Sequence, residues 1–205
     1  MSIKTMVEKH MATSLKDHFL EEISSGEKIR AFYIKREGTR MMSTLILFTP
    51  EGIVLMGDLC PSHHGAASAF GYGLDWFSSK LSEDYLCEKF LKKCWQLEVA
   101  KEGCEWYIEQ AVEEAKKYRL CEGDGDREDA RRSIAEGRRW QAVLKALGDE
   151  GTEQTCYDEM CDQDLYDGDT MPGYDYPRGD AGWLCAIQQK FSELYRAKQA
   201  VPSAV

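Results

Sequence analysis

One stretch, Gly57-Asp58-Leu59-Cys60-Pro61-Ser62-His63-His64-Gly65, brings a carboxylate, a thiol and two imidazoles close together directly after an apolar run. A strand end holds a carboxylate rigidly, and paired imidazoles can ligate a transition metal or carry protons. On that chemistry Asp58, His63 and His64 are the candidate metal-binding or catalytic residues of a metal-assisted hydrolase or nucleotide-processing enzyme. Cys60 beside His63 adds a thiolate–imidazole nucleophile as a further candidate. The motif is incomplete. Metal-dependent phosphoesterases place a Gly-Asp pair after a strand, but their upstream Asp-x-His and downstream Gly-Asn-His are missing here. The plainer reading is that Asp58 caps the loop, Cys60 packs, and the His pair lines an exposed turn.

A second cluster is acidic. Residues 158–180 read DEMCDQDLYDGDTMPGYDYPRGD, rich in carboxylates with a single Arg. Asp162, Asp164, Asp167 and Asp169 have the density that a hard cation wants, but Tyr166 breaks the ligand order of an EF-hand loop. Two uses remain: a solvated surface, or a patch whose carboxylates imitate nucleic-acid phosphates for a basic partner. Tyr157, Tyr166, Tyr174, Tyr176 and Trp183 favour the second, because aromatic residues among acids anchor interfaces. The candidate partner-binding residues are therefore Asp162, Asp164, Asp167, Asp169, Tyr166, Tyr174 and Tyr176. Opposite in sign, Arg127, Arg131, Arg132, Arg138, Arg139 and Lys145 form a basic helix face, which suits internal ion pairing or a homodimer.

These groups need elements to position them. Residues 3–24 carry apolar residues at three- and four-residue steps, as an amphipathic helix does. Alternation then predicts a strand from Lys28, a second over 42–49 and a third over 52–56 apolar enough to be buried on both faces, joined by short turns as an antiparallel meander. Residues 61–73 read as a Gly-rich loop. Helices are expected over 83–94 with Ser82 as N-cap, over 96–120, over 127–147 stopped by Gly148, and over 181–198, with 158–180 as an acidic loop. The fold class is α+β: a three-stranded antiparallel meander with an N-terminal helix and a mostly helical C-terminal half. A single domain, 1–205, is expected, with 1–80 carrying helix, sheet and Gly/His loop and 81–205 the helical half.

Composition narrows the partners. With 36 acidic and 26 basic residues the net charge is −10, unsuited to binding nucleic acid or an anionic membrane directly but able to attract a basic protein. The opening residues, MSIKTMVEKHMATSLKDHF, lack the pattern of a secretion leader and no apolar run approaches a membrane span, so a cytoplasmic location is expected. In a reducing compartment the eight cysteines, which contain no CxxC pair, are expected as packing residues, Cys87, Cys94, Cys156 and Cys161 among them. No cofactor is expected.

The residues FTPEGIVLMGDLCPSHHGAASAFGYGLDWFSSKLSEDYLCEKFL resemble a segment of small proteins of phages and prophages. That resemblance implies a context: small acidic phage proteins without an evident active site include inhibitors of bacterial defence, anti-CRISPR proteins among them. Such inhibitors usually act by stoichiometric binding. The expected function is thus a phage-encoded, non-enzymatic inhibitor of a bacterial immune complex, working in the host cytoplasm on a host protein or ribonucleoprotein. The metal-assisted hydrolase is the alternative.

Overall fold

The computed structural model describes residues 2–39, 42–60, 66–120, 124–166 and 171–200. The chain is α+β, and it divides into two compact units: Met1–Lys92 with Tyr176–Val205, and Lys93–Asp175. The second is an insertion, in chain order, within the first. Among the described residues no helix is long and apolar enough to cross a membrane.

The first unit is built on a sheet of five antiparallel strands in sequential order: β1 (Phe19–Ser25), β2 (Arg30–Lys35), β3 (Thr44–Phe48), β4 (Gly52–Met56) and β5 (Ala66–Phe70). The meander is therefore two strands wider than the three expected. Helix α1 stops at Ala12 (Ile3–Ala12), where Thr13 closes the last turn by donating its hydroxyl to the Lys9 carbonyl at 2.7 Å. Residues 19–25, expected as the end of that helix, pair instead with β2, bridged by Glu21 to Lys35 and by Glu22 to Arg30 at 2.5 Å. Apolar spacing at 19–23 suits either period, and the ladder decides it. The segment 66–70, expected as loop, is a strand because its small residues fit where space is short: Ala67 and Ala69 face the core, and α3 (Glu83–Phe90) packs against β5. Alanine has low strand propensity, so the pattern is silent at sequence level.

One face of this sheet carries the core. Phe32, Ile34, Ile46, Phe48, Ile53 and Leu55 are buried, whereas Leu45, Leu47 and Val54 on the other face are half-buried and Met56 is exposed. Strand β4, expected to be buried on both sides, thus alternates like an ordinary one-sided antiparallel strand. The core face is covered by α7 (Arg178–Ala200), which also packs on α1 and α3. Phe191 of α7 lies 5.4 to 5.5 Å, ring centre to ring centre, from Phe32, Phe48, Phe77 and Tyr195. The same helix satisfies the chain after α2 (Leu74–Phe77): Gln188 Nε2 donates to the carbonyls of Phe77 and Ser79 at 2.7 and 2.9 Å, and Ser192 Oγ to that of Ser78 at 2.7 Å.

The second unit begins and ends in a two-stranded ribbon, β6 (Cys94–Trp95) with β7 (Tyr174–Asp175). Between them run α4 (Leu97–Arg119), α5 (Asp124–Leu147) and α6 (Glu153–Asp162). Its core joins Ala100, Cys104, Trp140, Val143, Leu147, Cys156 and Met160. Gly148, at φ 45°, stops α5 as expected. Cys87, Cys104, Cys156 and Cys185 are buried and act as packing residues, burial pushing Cys104 up to about 12 and Cys156 up to about 11, whereas Cys94 and Cys161, expected to pack, are exposed.

Removing the ring at the centre of the first unit should be costly. Phe191→Ala is expected to lower stability by about 3–5 kcal/mol, read as a shift of the denaturant midpoint with little change in slope.

Candidate functional site

The loop after β4 is anchored by backbone and side-chain hydrogen bonds. Gly57 sits at φ 123°, and a Cβ there would lie 2.5 Å from the Ser43 carbonyl oxygen, so only glycine fits. Asp58 Oδ2 accepts the Met42 N–H at 2.9 Å, and Met42, itself at φ 54°, is held from the other side by His18, whose Nε2 donates to its carbonyl at 2.6 Å. Cys60 donates its thiol to the Leu55 carbonyl at 3.4 Å, and burial, helped by Asp180, pushes the thiol up to about 11. At neutral pH it is protonated. His63 and His64 lie outside the described residues. Among the described residues no group of three His, Cys, Asp or Glu side chains is placed to hold a metal. Asp58 thus has a backbone partner and Cys60 a packing role.

The acidic segment is assembled differently. Helix α6 runs through Asp162, so the first part of the expected acidic loop is helix. Thr152 caps its start in a reciprocal capping box with Thr155. Its end is a complete left-handed stop: Asp164 takes φ 56°, its N–H reaches the Cys161 carbonyl at 3.1 Å, and the Leu165 N–H reaches the Met160 carbonyl at 2.9 Å. Leu165 and Met160 both pack on the core of this unit. Short polar aspartate tolerates the left-handed conformation where most residues do not. The reversal sends Leu165 inward and brings Tyr166 back against Tyr157, edge to face at 4.9 Å.

Tyr174 reaches the same helix from β7, its hydroxyl donating to Glu153. That strand is fixed by Trp95, whose indole N–H donates to the Pro172 carbonyl at 3.1 Å, and by Gln96, whose N–H reaches the Gly173 carbonyl at 2.8 Å. Tyr157, Tyr166 and Tyr174 are 38 to 45% exposed, and Tyr157 lines a shallow cavity of 440 Å³ with Glu153, Gln154 and Met171. Asp158, Asp162 and Asp164 are exposed beside them. Hydrogen bonding to Glu153 raises the Tyr174 phenol, and hydrogen bonding to Cys161 raises that of Tyr157, so both present neutral hydroxyls at physiological pH.

Of the candidate partner-binding residues, Tyr166 and Tyr174 come back to α6 at Tyr157 and Glu153, and Asp162 and Asp164 are exposed at the C-terminal end of that helix. Asp167 and Asp169 lie outside the described residues. Tyr176 belongs to the first unit and packs against its core, and Trp183 stacks on His10 with ring centres 3.7 Å apart. Glu153 and Met171 were missed. The Thr-x-x-Thr box at 152–155 was the available signal that Glu153 opens a helix whose exposed side carries Tyr157. Comparison with known protein families, curated proteins and solved structures finds no match to this chain.

The buried His18 makes the loop anchor sensitive to acid. Burial, with Arg36 and Lys190 nearby, lowers its pKa from 6.5 despite the hydrogen bond to Met42, and its Nδ1 has no partner among the described residues. The unfolded chain takes up the proton first as pH falls, so stability is full above 6.5 and declines from there down to the lowered folded value. His10, lowered mainly by burial, adds in the same direction. Melting temperature is expected to drop across that window, and His18→Gln is expected to shrink the drop. Glu22, held below its ordinary 4.5 by Lys198 and Arg30 against the opposing effect of burial, contributes a separate loss below 4.5.

Proposed function

We propose that this chain is a non-enzymatic binding protein that holds a basic protein surface on the acidic tyrosine patch of α6 and β7. The observation that carries this reading is the convergence of Tyr157, Tyr166 and Tyr174 with the exposed carboxylates of Asp158 and Asp162, neither in an ion pair among the described residues, on a helix capped at both ends. Tyrosines held in place lose little side-chain freedom on docking, and exposed carboxylates that no internal cation neutralises attract cations at range. A surface that binds nucleic-acid phosphates matches both features. The finer form of the proposal is a phage-encoded inhibitor that occupies the nucleic-acid-binding surface of a bacterial immune complex of the CRISPR type, supported by the phage-like segment at 48–91 and the net charge of −10.

The test is binding of the full chain to purified CRISPR-type effector complexes, with and without added guide-complementary DNA. Binding is expected to weaken as salt rises and to compete with the DNA. Asp158→Lys with Asp162→Lys should reduce affinity by at least about tenfold, and Tyr157→Ala with Tyr166→Ala by a comparable factor. Asp164 is best changed to Asn, which keeps the left-handed turn. Variants of the patch that bind as the unaltered chain does would remove it from the interface.

A further inference from the structure

The α4–α5 hairpin of the second unit carries an apolar groove that its own unit leaves open. The two helices are locked at close range by small residues: a Cβ on Gly137 would lie 3.2 Å from that of Ala111. Tyr107 stacks on Trp140 at 4.2 Å, and Ser133 Oγ donates to Glu114 at 3.5 Å. These contacts fix which residues stand level: 107 with 140, 111 with 137, 114 with 133. On one side of that seam lies a groove of 170 Å³ whose apolar walls are Ile108, Val112 and Ile134, with Gln141 at its edge. Val112 is 46% exposed.

Charge borders the groove asymmetrically. Helical spacing puts Glu105 and Glu109 along its α4 margin, and Arg138 and Lys145 along its α5 margin. All four are exposed, and none is in an ion pair among the described residues. Lys116, further along α4, is already matched by Glu113 at 2.7 Å. An acidic margin facing a basic margin across an apolar strip is self-complementary under two-fold rotation.

We infer that this face is a homodimer interface, the occupant of the groove being the same hairpin of a second copy of this chain. Two symmetric arrangements would close it. With the axis across the helices, α4 lies on α4, and Glu105 and Glu109 meet their own copies. With the axis parallel to the helices, α4 of each copy lies over α5 of the other at the same level. Glu109 then faces Arg138, and Glu105 comes within reach of Lys145. The charges select the second arrangement, a four-helix layer in which Ile108, Val112 and Ile134 of both copies leave water together. This surface uses none of the residues of the acidic tyrosine patch, so either can hold without the other.

The experiment is sedimentation equilibrium of the full chain over a range of concentration and salt, with circular dichroism and melting temperature of every variant as the check on folding. A dimer that weakens as salt rises is expected. Arg138→Glu and Glu109→Arg should each weaken it by at least about tenfold, and the two together should bring it back close to the starting affinity. Val112→Lys should leave a folded monomer. A chain that stays monomeric at every concentration, or a dimer that neither charge reversal disturbs, overturns the proposal.

Discussion

The contact of Phe191 with the sheet governs the first unit of this molecule. Phe32 and Phe48 come from early strands, Phe77 from the short helix after the sheet, and Phe191 and Tyr195 from the last helix of the chain. The strands of the meander are near neighbours in sequence, but the helix that covers their apolar face, α7, comes last in the chain. The loop that has to close is the whole of the second unit. Closure of so long a loop adds only slowly to the entropic cost, roughly with the logarithm of its length, so the insertion is thermodynamically tolerable provided that it folds on its own core. That core, around Trp140, Leu147 and Met160, is separate from the first. The polar contacts share the same helix: Gln188 and Ser192 flank Phe191 in α7 and hydrogen-bond the carbonyls of residues 77–79.

How much of this was legible in the sequence depends on whether local pattern or tertiary pairing decided the element. Strands β2 to β4 were readable because alternation and turn glycines agree. Helices α3, α4, α5 and α7 were readable to within a few residues because caps and apolar stripes agree. The failures share a cause. Residues 19–25 fit a helical stripe and an edge strand equally well, and the ladder with Arg30–Lys35, tied by Glu21 and Glu22, settles it. Residues 66–70 are small and weakly strand-forming, and they pair because Gly52–Met56 offers an open edge. Both are strands that exist through their partners.

The candidate site was partly legible for the same reason. The acids and tyrosines of 157–176 were visible as composition, but their arrangement rests on a backbone reversal at Asp164 that composition hides. Aspartate is counted as a charge when it is also one of the few residues that accept a left-handed backbone. Without that reversal Tyr166 would continue along the helix direction, away from Tyr157. The Gly/His loop shows the converse. Its density of reactive residue types suggested chemistry, yet Asp58 is taken up by the Met42 N–H and Cys60 by the Leu55 carbonyl, hydrogen bonds that hold a turn in place.

The ribbon of Cys94–Trp95 with Tyr174–Asp175 carries a consequence for how such a chain arises. Paired antiparallel strands bring their backbones to within about 5 Å, so the two ends of the inserted unit are neighbours. A host whose chain is cut between Lys92 and Tyr176 therefore gives up a segment whose own two ends lie side by side. A segment with adjacent ends can be gained, lost or exchanged by recombination without stretching the fold that receives it. The helical unit is in that sense a cassette.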